Sequence, residues 1–343
     1  FAGTYFPKTA RYRSVGFKEL LLTIHEKWRD DRAALLDSAE QITAALNHEQ
    51  VPASQADEAL LGNAIELYKQ SYDGTFGGFG SAPKFPAPHN LLFLMQQYGK
   101  RGDREALVMA EVTLRQMYAG GLFDHIGYGF CRYSTDRFYL VPHFEKMLYD
   151  NALLTISYCR AYEITNQPFY KNVAEKIAFY ILTEMTSPDG GFYSAQDADS
   201  DGEEGKYYVF TPDEIIRLLG EKDGAAFNTR FGITPSGNFE SKSIPNLLRA
   251  KDLNGERFDK FLPQIRGYRR SRARLHTDDK ILTAWNSLMI AAFCALYKSS
   301  RISKYLAAAK KAQQFIEGKL CDQDTLYVSF RRGKRGEKGF LDD

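Results

Sequence analysis

Helical segments alternate with glycine-rich, aromatic loops along most of the chain, and this alternation limits the fold more than any other feature. Apolar residues recur three and four positions apart, as on one face of a helix, at 91–98, 106–118, 147–162, 173–185, 212–219, 282–298 and 302–320. Loops of one kind recur at 77–79, 120–124 and 189–193. Helical hairpins that each expose an apolar face must stack on their neighbours to bury it. The pattern therefore predicts a mainly α fold of stacked hairpins.

Such a stack either closes on itself as an (α/α) toroid or stays open as a solenoid. Short strand-like runs at 206–210 and 325–331 lie among the helices, and the loops differ in length. Irregular loops of this kind favour the closed toroid. We expect the binding site to lie among the loops at one mouth of the ring.

The first fifty residues follow a different pattern. Residues 1–7, FAGTYFP, form a β-type run closed by proline, and residues 16–46 form a helical pattern of one long or two consecutive helices. A further helical segment follows at 59–68. The chain begins with Phe1 and stops in the apolar-then-acidic run GFLDD, so we expect both ends to be cut from a longer protein.

The composition favours a soluble protein with a small or neutral ligand. The 343 residues are 44% hydrophobic, enough for a sizeable core, and 45 Lys and Arg against 43 Asp and Glu give a formal net charge of +2. No global field would then attract nucleic acid or an anionic membrane, and we interpret the basic stretch 267–274 as a solvated linker. The longest apolar run, 288–297, is about ten residues, well short of a membrane span.

Four scattered cysteines, at positions 131, 159, 294 and 321, show neither CxxC nor zinc-ligand spacing. Unpaired thiols suit a reducing compartment, so we predict a cytoplasmic protein. The sequence contains no GxGxxG, Walker, GxSxG or HExxH motif. We therefore expect no nucleotide cofactor and no bound metal.

Seven longer segments carry a family resemblance: GTYFP (3–7), FGSAPKFP (79–86), VPHFEKMLYDNA (141–152), GGFYSAQDADSDGEEGKYYVF (190–210), GNFE (237–240), DDKILTAWN (278–286) and GFLDD (339–343). Together they resemble the DUF255 family of thioredoxin-domain-containing proteins over nearly the whole chain. In that family a thioredoxin-like domain precedes a six-hairpin toroid similar to N-acylglucosamine 2-epimerases and glycosidases. The family's own biochemical activity is poorly defined.

The resemblance implies a domain plan. Residues 1–50 are expected to be the remnant of a thioredoxin-like domain whose cysteine motif lies upstream of this chain. Residues 51–343 are expected to be an (α/α)6 toroid that is truncated at its C-terminal end.

The densest polar cluster lies where a proline-broken loop meets the helix predicted at 147–162. His143 is the best candidate for a general acid or base, since histidine is the residue type that titrates near neutrality. The alternative is a helix entry whose polar residues cap and pair the first turn. We predict catalytic roles for His143, Glu145 and Asp150, and substrate contacts for Lys146, Tyr149 and Asn151.

A glycine-spaced loop upstream, 124–130, joins a second histidine to several rings. Two histidines on neighbouring loops could exchange a proton across a sugar carbon, as in a two-base epimerase, while Arg132 orients a hydroxyl or carbonyl. Gly127 and Gly129 would let a ligand approach the backbone. His125 and Tyr128 are accordingly predicted to bind substrate, although a lone loop histidine is usually only solvated.

The acidic run 197–204 begins like a calcium loop but has Tyr208 in place of the Glu that an EF-hand requires at its twelfth position. Two other interpretations of this run are a carboxylate pair for glycosidic hydrolysis and a solvated acidic loop. We predict Asp197 and Asp199 to be catalytic, and Gln196 and Glu204 to bind substrate.

A carboxylate pair, a cation and an indole open the helix predicted at 282–298. An indole stacks on the apolar face of a pyranose while carboxylates accept its hydroxyls. The alternative is an acidic helix start above a core tryptophan. We predict that Asp279 is catalytic and that substrate is bound by Asp278, Lys280, Trp285 and Asn286.

These patterns lead to two hypotheses of different kinds. The first is a carbohydrate-directed enzyme that acts by proton transfer or by paired-carboxylate hydrolysis at the toroid mouth, with a sugar as its ligand. The second is a catalytically silent toroid that binds a ligand or a protein client for the thioredoxin-like domain. They differ in whether the polar residues converge on one open cleft or are tied up in internal ion pairs.

Overall fold

The computed structural model describes residues 5–11, 15–47, 58–253, 256–341 and 343. Its contacts divide the chain into two compact units, Phe1–Leu61 and Gly62–Asp343.

The first unit contains two consecutive helices, α1 (Phe17–Asp30) and α2 (Arg32–Asn47), as the apolar pattern predicts. Helix α1 begins after Gly16, whose backbone N–H donates to the Glu19 carboxylate at 3.4 Å. Neither helix buries a residue. The predicted strand at 1–7 lies partly outside the described residues, and residues 5–7 form no strand. Residues 48–50 of the predicted thioredoxin-like remnant also lie outside them.

The second unit is built from helical hairpins. Its inner helices α4, α6 and α12 pack side by side, and each also packs against the next helix along the chain, α5, α7 or α13. This stacking is that of an (α/α) toroid, so the predicted mainly α fold class is confirmed. The helices are α3 (Glu58–Ser71), α4 (Pro88–Arg101), α5 (Arg104–Ala119), α6 (Leu148–Thr165), α7 (Pro168–Glu184), α8 (Pro212–Leu219), α9 (Glu221–Arg230), α10 (Glu256–Asp259), α11 (Leu262–Arg272), α12 (Thr283–Ser300) and α13 (Ser303–Phe315), the last continued by a π-helical turn at Ile316–Leu320.

Local sequence fixes where the hairpins begin and turn. Helix α4 starts with Pro88 and ends at Gly102, which adopts φ 70°. Asp103 then caps α5 by accepting the Ala106 N–H at 3.1 Å, so two residues join the helices. Helix α6 is apolar on most of its surface because it lies between α4, α7 and α12.

The basic stretch 267–274 is not the solvated linker that we predicted. It forms the end of α11, and Arg269 is 4% exposed, with its guanidinium 2.9 Å from the Asp124 carboxylate. Arg272 donates to the backbone carbonyls of residues 206, 207 and 209. These contacts also explain why 206–210 is a turn instead of the predicted strand: three of its carbonyls converge on one guanidinium.

Short strands join the loops that precede the inner helices. One three-stranded antiparallel sheet, in the order β3-β4-β7, pairs Lys146 with Gln196 and Gln196 with Thr277. The strands are β1 (Tyr133–Ser134), β2 (Pro142–His143), β3 (Lys146–Met147), β4 (Ala195–Gln196), β5 (Asp199–Ser200), β6 (Glu203–Glu204), β7 (Thr277–Asp278), β8 (Ile281–Leu282), β9 (Cys321–Asp322), β10 (Thr325–Leu326), β11 (Ser329–Arg331) and β12 (Lys334–Arg335).

Two glycine-aromatic loops have the same hydrogen-bond pattern, in which a lysine donates to an aspartate carboxylate and to the backbone carbonyl four residues further on. In the first, Asp73 accepts the N–H of Gly77, and the buried Lys84 ammonium donates to the Asp73 carboxylate at 2.8 Å and to the Gly77 carbonyl at 2.7 Å. In the second, Lys146 donates to the Asp124 carboxylate at 2.8 Å and to the carbonyl of residue 128 at 2.7 Å. The structural repeat therefore aligns 73–79 with 124–130. The Gly-Gly pair of the first loop, at 77–78, corresponds to 128–129, eight residues beyond the Gly-Gly pair of the second loop at 120–121.

Two asparagines tie such loops to the inner helices. The Asn151 side chain accepts the Phe130 N–H at 2.8 Å and donates to the Phe130 carbonyl at 3.0 Å. Asn286 does the same with Phe192, at 2.7 and 3.0 Å. Both asparagines also donate to the carbonyl four residues earlier, on the residue that directly precedes their helix. Each amide therefore satisfies the buried backbone N–H and carbonyl of one loop phenylalanine.

Within the described residues, no helix combines the length and the apolarity that crossing a membrane requires.

Replacing Asn286 by leucine tests this anchoring. Asn286→Leu leaves the buried N–H and carbonyl of Phe192 without partners, so we expect the free energy of unfolding to fall by about 2–5 kcal/mol. Urea unfolding followed by circular dichroism measures the change. Asn63→Leu, at an exposed position of α3, is the control and should stay within about 0.5 kcal/mol of the parent. Equal losses in the two variants would contradict the anchoring role.

Candidate functional site

A cleft of about 500 Å³ lies where α6 and α12 begin. The sheet β3-β4-β7 contributes to its wall through Met147, Ala195 and Asp278. Loops preceding two inner helices therefore meet here, as expected for the mouth of a toroid. Five of the predicted site residues line this cleft: Glu145, Asp197, Asp278, Lys280 and Trp285.

The carboxylates of the cleft differ in their surroundings. Asp278 lies 3.0 Å from the Lys280 ammonium; burial alone would raise its pKa, but hydrogen bonds from Lys280 hold the pKa below its ordinary value. Glu145 lies 3.4 Å from Arg132. Asp197 is exposed, and its N–H donates to the His276 carbonyl at 2.9 Å. The cleft therefore holds two carboxylates that are paired with cations, those of Asp278 and Glu145, beside the exposed Asp197.

The aromatic part of the cleft is formed by Trp285. Its ring meets the Tyr149 ring edge-on, with centroids 4.8 Å apart, so the first turns of α12 and α6 touch here. Trp285 is half-buried, which leaves part of the indole facing the cleft. This surface can pack against an apolar ligand face.

His143 belongs to a polar cluster next to the cleft. Its Nδ1 lies 2.8 Å from the Glu204 carboxylate, and its Nε2 lies 3.6 Å from Glu145. The imidazole also stacks on Tyr133, with ring centroids 5.2 Å apart. Glu145 joins this cluster to the cleft because it belongs to both. The imidazole is thus held between two carboxylates and is not a cleft-lining group.

Asp150 is a buried carboxyl beside the cleft whose pKa is raised far above its ordinary value. It is 6% exposed, and its Oδ2 is buried without a hydrogen-bond partner among the described residues. Burial raises the pKa of Asp150 to about 7, while Arg132 and the Tyr149 hydroxyl act in the lowering direction. A carboxyl with this pKa holds a proton close to neutral pH. It lies next to the cleft residues but does not line the cleft.

The acidic run 197–204 folds as a hairpin. Strands β5 and β6 pair Asp199 with Glu204, and Asp201 and Gly202 form the turn with φ of 55° and 81°. This geometry is not that of a calcium loop. Among the described residues, no three His, Cys, Asp or Glu side chains are grouped to hold a metal. The hairpin presents the exposed Asp199 outside the cleft and brings Glu204 to His143.

Asp279 points to the arginines of a neighbouring strand. It pairs with Arg331 and lies 3.6 Å from Arg332. Burial alone would raise the pKa of Asp279, but these guanidinium groups hold it below its ordinary value. Its role in the structure is therefore to bind β11 beside the cleft.

The structure places the remaining predicted residues in the interior. His125 is 4% exposed among aromatic rings, and burial lowers its pKa to about 3, so it stays neutral in the core. The space beside Gly127 is filled by Arg269 and that beside Gly129 by Tyr180, so neither glycine makes room for a ligand. Gln196 accepts the Tyr180 hydroxyl at 3.0 Å, and Lys146, Asn151 and Asn286 make the buried contacts described above.

Three polar residues of the cleft were not predicted from the sequence. His276 and Arg331 line the cleft, as does Ser194, which donates from its hydroxyl to the Asp278 carbonyl at 3.1 Å. His276 stands directly before Thr277 and Asp278, so its place beside a predicted carboxylate was a usable indication. Arg331 had none, because it comes from a strand more than forty residues further along the chain.

Sequence comparison shows what the chain is similar to. Residues 1–47 match the model described as Thioredox_DsbH, a protein of unknown function, DUF255. The chain is 34% identical to spermatogenesis-associated protein 20 of Mus musculus over 372 residues, covering 93% of this chain and 46% of the relative. The uncharacterized protein B0495.5 of Caenorhabditis elegans is 32% identical over 377 residues, covering 98% and 51%.

The predicted resemblance to the DUF255 family is confirmed. The chain spans about half the length of the curated relatives it matches.

Solved structures show more distant similarity. The GH76 α-mannanase BT2949 of Bacteroides thetaiotaomicron matches with a TM-score of 0.48 and 13% identity, over 79% of this chain and 58% of that one. A cellobiose 2-epimerase from Bacillus thermoamylovorans matches with a TM-score of 0.36 and 12% identity, over 82% and 93%. Similarity at this level assigns no reaction.

The pKa of Asp150 predicts how stability depends on pH. In the folded protein its pKa is about 7, and in the unfolded chain it is near 4, so between these values only the folded state keeps the proton. Asp150 therefore makes the protein progressively less stable as pH rises from about 4 to 7, with no further change above 7. We expect Asp150→Asn to gain stability relative to the parent over this window, by at most roughly 4 kcal/mol.

Urea unfolding of both proteins at intervals from pH 4 to pH 8 measures this difference. Asp189→Asn removes an exposed carboxylate and serves as the control for the loss of one negative charge. Parallel stability curves for Asp150→Asn and the parent would contradict the assignment.

Proposed function

We propose that the chain is part of a carbohydrate-directed enzyme that binds a sugar in the cleft between the starts of α6 and α12. The observation that supports this most is the half-buried Trp285 indole in the same cleft as Glu145, Asp197 and Asp278. An indole packs against the apolar face of a pyranose, and carboxylates accept hydrogen bonds from its hydroxyls. A volume of about 500 Å³ lies within the usual range for small-molecule sites.

The chemistry that suits this cleft best is acid–base catalysis by proton transfer, as in an epimerase or isomerase. Asp278, held ionised by Lys280, is the proposed base, and His276 is the proposed group that exchanges a proton with the other face of the ligand. Asp150, with a pKa near 7, holds a proton beside Glu145 and Tyr149.

Other cleft residues have positioning roles in this proposal. Lys280 fixes the Asp278 carboxylate, and Arg132 fixes Glu145. His143 holds the β5–β6 hairpin beside the site through Glu204. Removing His143 should therefore change affinity through the position of Glu145 more than it changes the chemical step.

A second candidate is a catalytically silent toroid that binds a sugar or a protein client for a thioredoxin-like domain. The observation in its favour is that Glu145, Asp278 and Asp279 all form ion pairs with neighbouring cations. Residues 1–50 remain, in this proposal, the end of that thioredoxin-like domain. The four cysteines are unpaired, which suits a cytoplasmic location.

Isothermal titration with monosaccharides, disaccharides and amino sugars tests sugar binding. Asp278→Asn and Trp285→Ala should each weaken the binding of any sugar that binds the parent by about tenfold or more, because one loses a charged acceptor and the other a stacking surface. Asp189→Asn is the matched control and should bind like the parent.

Incorporation of solvent deuterium into the bound sugar, followed by NMR, separates the two candidates. Exchange that is lost in Asp278→Asn supports the enzyme, and binding without exchange or turnover supports the silent toroid. Absence of binding by every sugar in the panel would contradict both sugar-directed proposals and leave only the protein client.

A further inference from the structure

A second pocket lies away from the cleft and shares no lining residue with it. It has a volume of about 400 Å³ and is formed by the end of α5, one face of α7 and the start of α13. Five aromatic rings line it: Tyr118, Tyr128, Phe169, Phe179 and Tyr305. The proposed sugar site makes no use of this pocket.

Tyr128 reaches the pocket from a strained backbone position. Its φ is 68°, a left-handed conformation that a bulky residue rarely adopts. The equivalent position of the first loop is Gly77, with φ 70°. The loop after α7, which Asn286 anchors through Phe192, has Gly190 there, with φ 101°. Two of three similar loops thus use glycine where this one keeps a tyrosine. Strain of this kind persists where a site needs the side chain.

The Tyr128 ring is held firmly. It stacks on Phe123 with centroids 6.0 Å apart and meets Phe179 edge-on at 5.6 Å. The Arg266 guanidinium lies 4.6 Å from its centroid, and Nη2 of this arginine is buried without a hydrogen-bond partner among the described residues. The ring therefore forms a fixed wall backed by a positive charge.

Lys176 supplies a second positive charge at the same place. Its ammonium donates to the Tyr118 hydroxyl at 2.9 Å and lies 5.5 and 5.4 Å from the ring centroids of Tyr118 and Tyr128. Within the described residues it forms no ion pair. Burial alone would lower the pKa of Lys176, but Tyr118, Tyr128 and Asp259 raise it above its ordinary value, so the group stays charged. Lys176 is half-buried, and among the described residues neither Asp259 nor Glu175, which line the same pocket, forms an ion pair with its ammonium. This positive charge among aromatic rings favours an anionic ligand.

We propose that this pocket binds a small organic anion, a carboxylate or phosphate carried on a planar or aromatic body. The anionic group pairs with Lys176, and the planar body packs between Tyr128 and the neighbouring rings. Asp259 and Glu175 also line the pocket and offer acceptors to a hydroxyl or amino substituent. The site is separate from the cleft, so the proposal holds whether or not the cleft binds a sugar.

Binding of benzoate and phenyl phosphate to the whole chain, followed by isothermal titration, tests the proposal. Benzyl alcohol and inorganic phosphate are the companion probes that lack the charge or the ring. We expect at least one aromatic anion to bind with saturation, and both companions to bind about tenfold or more weakly. The tighter of benzoate and phenyl phosphate identifies the anionic group.

Lys176→Met removes the charge while keeping the length of the side chain, and should weaken binding of the aromatic anion about tenfold or more. Lys171→Met is the matched control, because Lys171 lies on the same helix over the Tyr162 ring, outside the pocket. Tyr128→Gly is a second variant. Glycine adopts φ 68° without strain, and the substitution removes the tyrosine ring that forms one wall of the pocket. Unchanged binding by Lys176→Met, or no saturable binding of either anion to the folded parent, would overturn the proposal.

Discussion

The rest of the toroid mouth depends on one buried carboxylate, that of Asp124. It accepts hydrogen bonds from Lys146 at 2.8 Å and from Arg269 at 2.9 Å, and all three side chains are at most 5% exposed. Burial alone would raise the pKa of Asp124, but the two cations hold it well below its ordinary value. One negative charge thus joins the loop before β1, the start of α6 and the end of α11.

This arrangement explains why the cleft lies where it does. Lys146 forms β3, and β3 pairs with β4, which in turn pairs with β7. Among the cleft residues, Glu145 directly precedes β3, Asp197 directly follows β4 and Asp278 belongs to β7. Lys146 also lies 4.5 Å from the Tyr180 ring centroid, so its charge is shielded from water by aromatic surface. A buried ionic network of this kind is costly to break because each partner left behind is an unpaired buried charge.

The sequence predicted the hairpins well because apolar periodicity is local, and α6 and α12 are long. It predicted Glu145, Asp278 and Trp285 at the cleft because residues near the starts of the inner helices lie together at one mouth of the toroid. It could not separate ligand-binding residues from residues that satisfy the core: the partner of Asn286 is Phe192, 94 residues away, and that of Arg269 is Asp124, 145 residues away. Polar and basic residues that the sequence suggested were exposed, such as Asn286 and Arg269, therefore form hydrogen bonds in the protein interior.

Amide hydrogen exchange in an Asp124→Asn variant tests most directly whether this carboxylate holds the mouth together. Loss of the charge leaves Lys146 and Arg269 buried without their common partner, so we predict faster exchange at 146–148, 194–197 and 277–278 than in the parent, by about tenfold or more, and smaller changes in α13. Asp322→Asn, which breaks an exposed ion pair with Arg335, is the control and should leave these rates unchanged. Equal acceleration in the mouth and in α13, or none in either, would contradict the account.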